Sequence, residues 1–151
     1  MRTLNVIIGF AILTILAACN KNEATVIDVD KHTDEMNYSV MIMKPDTSMK
    51  MLGDTMHMHV NFSEADGKTI HHVNVKIYQK DNPTNVIYNM PTDAHIHDMD
   101  GSYEHHDDLI LSMANGVVGH KDYVMEAKIW GHDAGAYEQM MSREFHIHMM
   151  P

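Results

Sequence analysis

The sequence predicts an all-β domain, an antiparallel sandwich of two sheets, set behind a short leader. Three observations predict it. Apolar and polar residues alternate with period two along most of the chain beyond residue 36. Helical periodicity is nearly absent there, and turn-forming clusters recur between the alternating runs.

The leader comes first. Met1-Arg2-Thr3 supplies a positive charge, residues 4–16 are apolar, and Leu16-Ala17-Ala18-Cys19 follows. An apolar run this short, with a basic start and small residues after it, is a secretory signal rather than a membrane span. Its last four residues resemble the lipobox of bacterial lipoproteins, and the only Cys of the chain falls where lipidation needs it. The resemblance implies a signal peptide over 1–18, lipid on Cys19 and a membrane-anchored protein, since several acyl chains anchor far more firmly than one. By similarity to enterobacterial sorting, Asn20 after the Cys implies the outer membrane, facing the periplasm or the cell surface. Residues 19–35 are polar and form the tether, with a short edge strand at Val26-Ile27, and the domain spans 36–151. Removing 18 of the 151 residues leaves 133, enough for one core. Losing Arg2 from 11 basic and 21 acidic residues leaves a formal charge of −11. That charge excludes nucleic acid as a partner, because a phosphate backbone needs a basic surface, and it favours cations. With Cys19 lipidated, no disulfide, thiolate ligand or cysteine nucleophile remains.

The strands follow in order. Residues 37–43 alternate with Tyr38, Val40 and Ile42 on one face. Residues 55–62 place Met56, Met58, Val60 and Phe62 together, and 63–67 read as a turn. Residues 69–79 align Val73, Val75 and Ile77, 81–85 turn the chain, and 86–88 form a short strand. Residues 104–111 and 123–130 are further strands, the second with Tyr123, Met125, Ala127 and Ile129 inward. Residues 131–135 make a hairpin turn, and 139–149 close the domain with Phe145 and Ile147 inward. The stretch 60–67, followed by an alternating strand, resembles the second and third strands of immunoglobulin-like bacterial surface domains. The likeness covers most of the mature chain and implies an immunoglobulin-like sandwich. The disulfide and buried Trp arrangement of antibody domains is absent.

Thirteen His and sixteen Met are the chemistry-bearing residues. Three His-x-His pairs occur, His57/His59, His95/His97 and His146/His148, where a shuffled chain would give about one. Residues i and i+2 of a strand share a face about 6.5–7 Å apart, so two imidazoles converge on one ion. The same alternation sends Met56 and Met58 inward with His57 and His59 outward, and Phe145 and Ile147 inward with His146 and His148 outward. Met41, Met43, Met49 and Met51 are expected as solvent-facing thioethers. An immunoglobulin-like topology gathers Met43, Met49, Met51, His57, His59, His120, His146, His148, Met149 and Met150 at one pole. Thioether and imidazole together suit Cu(I), with the imidazoles able to hold Cu(II). One constraint opposes this: the second and last strands of such a fold lie in opposite sheets, so their outward faces diverge. The other pole collects His71, His72, His95, His97, His105, His106 and His132. It lies amid the carboxylates of 81–120, a stretch without Lys or Arg, and suits Zn(II), Ni(II) or Cu(II). Asp98-Met99-Asp100-Gly101 resembles the opening of a calcium loop, but the EF-hand Glu is missing, and the stretch reads as a solvated acidic loop.

These patterns lead to a membrane-tethered metal-binding lipoprotein that sequesters or transfers copper, with zinc as the second metal and a protein partner for transfer. In composition the chain resembles the Met- and His-rich periplasmic copper-resistance proteins. The competing reading is a non-catalytic immunoglobulin-like module that binds a protein or glycan through Trp130, Tyr78, Tyr103, Tyr123 and Tyr137. Catalysis is not expected. His57 and His59 resemble the strand-borne pair of copper-zinc superoxide dismutase, but that family's disulfide and other ligand spacings are absent. Arg143 is the only Arg of the mature chain, and neither a Gly-x-Ser-x-Gly elbow nor a His-Glu-x-x-His motif occurs.

Overall fold

The computed structural model describes residues 36–90, 94–132 and 138–149. The leader, Cys19 and the strand expected at Val26-Ile27 lie outside the described residues. Among the described residues nine strands form: β1 (Tyr38–Lys44), β2 (Lys50–Met51), β3 (Thr55–Glu64), β4 (Ile70–Gln79), β5 (Asn82–Asn89), β6 (Ala94–Asp98), β7 (Ser102–Ile110), β8 (Lys121–Trp130) and β9 (Gln139–His148). They build two sheets, β1-β3-β7 and β2-β9-β8-β4-β5, with β6 paired to the start of β4. Every pairing is antiparallel except the short parallel contact of β2 with β9.

The strand order is immunoglobulin-like. The first, second and fifth main strands share one sheet, and the third, sixth and seventh share the other. A tyrosine corner marks the crossing into β8. The Tyr123 hydroxyl accepts from the Val118 N–H at 2.7 Å and donates to the Val118 carbonyl at 3.2 Å, a lock typical of this fold.

Alternation built the core as expected. Met56, Met58, Val60 and Phe62 of β3 meet Val73, Val75 and Ile77 of β4, and Tyr123, Met125, Ala127 and Ile129 of β8, all buried. Phe145 and Ile147 of β9 join them. Each buried Val, Ile, Met or Phe side chain among them contributes about 1.5–3 kcal/mol.

Several boundaries differ from the sequence expectation. Residues 82–85 belong to β5 rather than to a turn, and Pro83 is tolerated because β5 is an edge strand that needs no further N–H donor. Two short strands, β2 and β6, had no alternating run long enough to reveal them. β3 runs on through Glu64, so the following turn is tighter than 63–67.

Glu64 organises that corner. Its carboxylate accepts from the N–H groups of Asn37 (3.1 Å), Asp66 (2.9 Å) and Lys68 (2.7 Å). Its own N–H donates to the Gly101 carbonyl at 2.8 Å. Gly101, at φ +67°, packs so closely on the turn that a Cβ there would lie 2.5 Å from the Gly67 Cα. Burial works against the charged form of Glu64, but the three N–H donors and Lys68 outweigh it and hold the carboxyl below its ordinary value. A depressed folded-state value means stability that is complete above the ordinary value of 4.5 and is lost as pH falls through the lower one. Glu64→Gln should cost about 1–2 kcal/mol at pH 7, read from urea denaturation. The gap to the unaltered protein should narrow as pH drops below 4.5.

Candidate metal centre

The outer face of β9 carries His146 and His148, whose ring centroids lie 4.5 Å apart. Phe145 and Ile147 point the other way, into the core. His120, just before β8, completes a trio. Its backbone is left-handed, at φ 57°, a conformation that few residues other than Gly adopt. Its N–H donates to the Ile147 carbonyl at 2.7 Å, which seats the loop on β9 between the two imidazoles. The His120 ring centroid lies 6.4 Å from that of His146 and 6.2 Å from that of His148. One ligand atom from each of the three falls within 4.8 Å of the others.

Neighbouring side chains orient this trio. β8 and β9 pair Asp122 with His146, and Asp122 Oδ1 lies 2.7 Å from His146 Nδ1. A carboxylate only accepts, so the imidazole donates through Nδ1 and keeps its Nε2 lone pair for a ligand role. Two methionines neighbour the group in register and in sequence. β2 pairs Met51 with His148 in parallel register, so both side chains leave the same face of the sheet about 5 Å apart at Cα. Met149 folds across Gly119, next to His120, so that a Cβ on Gly119 would collide with its sulfur. The tyrosine corner at Val118 fixes the same loop from the other side.

The rest of the pole expected from sequence does not assemble here. β3 belongs to the other sheet, so His57 and His59 face away from β9, as the sheet assignment of such folds requires. His57 instead pairs with Asp108 across β3 and β7, Nδ1 to Oδ1 at 2.6 Å. His59 lies opposite His106 in the same register. Met43 and Met49 are exposed. Met51 is half-buried rather than fully solvent-facing, and Met150 lies outside the described residues.

The second expected pole is divided as well. His71, His72, His97 and His132 do gather: the centroid of His71 is 3.9 Å from that of His132 and 5.5 Å from that of His97, and His72 is 5.4 Å from His132. His72 also stacks on Trp130. The side chain of His95 lies outside the described residues. His105 and His106, adjacent in sequence, point to opposite faces of β7. His105 is buried, and its Nε2 lies 2.9 Å from the Tyr88 hydroxyl, which donates to Asp107 at 2.7 Å. Burial pushes the His105 imidazole below its ordinary value, with Asp107 opposing the shift and His106 adding to it. Burial and the Asp107 carboxylate push the Tyr88 phenol up. His105 is therefore a neutral core residue committed to Tyr88, and it leaves the metal set. The acidic loop is a turn in which Asp98 accepts from the Asp100 N–H at 3.0 Å.

Sequence reasoning missed Asp122, and it counted Glu104 only among the carboxylates of the acidic stretch, not as the neighbour of a particular imidazole. Strand register would have supplied the signal. Of the aromatics considered for a partner surface, Tyr123 is buried, Tyr78 bonds Glu126 at 3.3 Å and Tyr103 packs near Phe62. Tyr137 lies outside the described residues.

No family model matches the sequence, and no curated protein matches it. Solved structures similar to it include the CARDB domain of a Pyrococcus furiosus protein in complex with di-metal ions. That likeness has a TM-score of 0.49 at 10% identity and covers 78% of this chain and 97% of the other. Another is the sensor domain of an anti-sigma factor from Pseudobacteroides cellulosolvens, with a TM-score of 0.46 at 8% identity, covering 75% and 96%. Both likenesses are distant and assign no ligand or activity to this chain.

Proposed function

We propose that the protein is a membrane-tethered lipoprotein, anchored through Cys19, that binds copper without catalysis and sequesters it or passes it to a partner. The observation that carries the reading is the convergence of His120, His146 and His148 on one point at the end of β9. Imidazole accepts Cu(II), and a thioether from the neighbouring Met51 or Met149 would favour Cu(I). The formal charge of −10 for the whole chain adds a general attraction for cations. The anchor and the outer-membrane location rest on the leader and the residues around Cys19.

The direct test titrates the full-length chain in detergent with Cu(I) against a chromogenic chelator. One tightly held copper per chain is expected, lost on replacing His146 and His148 by Asn. Binding no tighter than that of a scrambled His-rich peptide would remove the basis of the reading. Asp122→Asn should weaken copper about 10- to 100-fold, because the carboxylate that orients His146 is gone. An opposite pair of effects distinguishes His120. Glycine relieves the left-handed backbone, so His120→Gly should leave thermal stability unchanged or raise it by up to about 1 kcal/mol. Copper affinity should drop in the same variant, and a parallel loss of stability and affinity would argue for a purely structural residue.

A further inference from the structure

The outer face of the three-stranded sheet carries a second donor group, on a different sheet from the first. β3 and β7 pair His59 with His106 and Asn61 with Glu104. Both imidazoles and the carboxylate therefore leave the same face, one strand period apart. The two rings stack with centroids 4.0 Å apart and planes inclined by 27°. Glu104 Oε2 lies 3.1 Å from His106 Nε2 and 3.7 Å from His59 Nε2. One ligand atom from each of the three falls within 4.8 Å of the others. The His59 Nε2 atom is shielded from solvent and has no hydrogen-bond partner among the described residues. A buried ring nitrogen left in that state is destabilising, and an ion beside Glu104 would satisfy it.

We propose that His59, Glu104 and His106 form a second metal site, taking a borderline divalent cation of which zinc is the type. The donor chemistry separates it from the first site. Two imidazoles and a carboxylate suit Zn(II), whereas Cu(I) prefers soft thioether donors. The backbone sets the spacing, since His59 and His106 are direct cross-strand partners in the middle of a nine-residue register. Glu104 and His106 are exposed, so the remaining coordination positions open to water. His57 and Asp108, one strand period away, are paired with each other at 2.6 Å and border the site without joining it. Two ions of different softness thus find separate places on opposite faces of one sandwich.

The test uses zinc as the probe on the full-length chain in detergent, with His120, His146 and His148 all replaced by Asn so that the first site is silent. Competition against a chromogenic zinc chelator should find one zinc per chain. Adding Glu104→Gln, or separately His106→Asn, should weaken it by about tenfold or more. Cobalt loaded into the same background should show visible bands that disappear with Glu104→Gln. Should the triple replacement fail to fold, Glu104→Gln alone in the unaltered chain should reduce zinc stoichiometry by one and leave copper binding unchanged. Zinc binding or cobalt bands indifferent to Glu104 and His106 would overturn the proposal, as would a background that binds no zinc. Because copper is titrated separately on the Glu104→Gln chain, either site can fail while the other stands.

Discussion

The two-residue period of the β-strand is the constraint on which the rest of this protein depends. Burying Met56, Met58, Val60 and Phe62 obliges His57 and His59 to face outward, and burying Phe145 and Ile147 does the same for His146 and His148. Core and imidazole rows are thus one feature seen from two sides. A register slip of one residue would drive the imidazoles into the sandwich and the apolar set into water. The hydrophobic pattern that stabilises the fold therefore also fixes where its nitrogen donors can be.

Which faces point outward was legible in the sequence, because that information is local to each strand. The inward sets of β3, β4, β8 and β9 followed directly from alternation. Which outward residues meet was only partly legible, because that depends on pairing between distant segments. His59 found His106 through the β3–β7 register, and His57 and His59 lost His146 and His148 because β3 and β9 lie in different sheets. The separation of His105 from His106 was implicit in alternation, yet their adjacency suggested a shared site. His120 lay beyond any periodicity argument, since its place is set by a left-handed backbone and a hydrogen bond to Ile147. β2 and β6 were hidden because such short strands take their identity from the neighbour they join.

Carboxylates recur beside the outward imidazoles: Asp122 at His146, Asp108 at His57, and Glu104 at His106. Two of these contacts cross between paired strands, and the third joins residues two apart on β7. At His146 and His57 the carboxylate holds Nδ1, which gives the ring a defined rotation and leaves Nε2 unprotonated, whereas Glu104 stands beside His106 as a second donor atom. An acidic chain rich in histidine is in this sense a chain of oriented imidazoles, and its negative charge has a geometric as well as an electrostatic role.

The shallow setting of the β9 trio has a kinetic side. His120 is exposed, and only His146 and His148 are half-buried, so an ion held by all three keeps one flank toward water. If the site holds copper as proposed, a donor from an acceptor would have room to bind on that flank before any resident imidazole let go. Under the proposed copper reading, exchange would then need no release of a bare ion. Such a site would combine firm retention in isolation with quick surrender on contact, the incoming donor selecting between them.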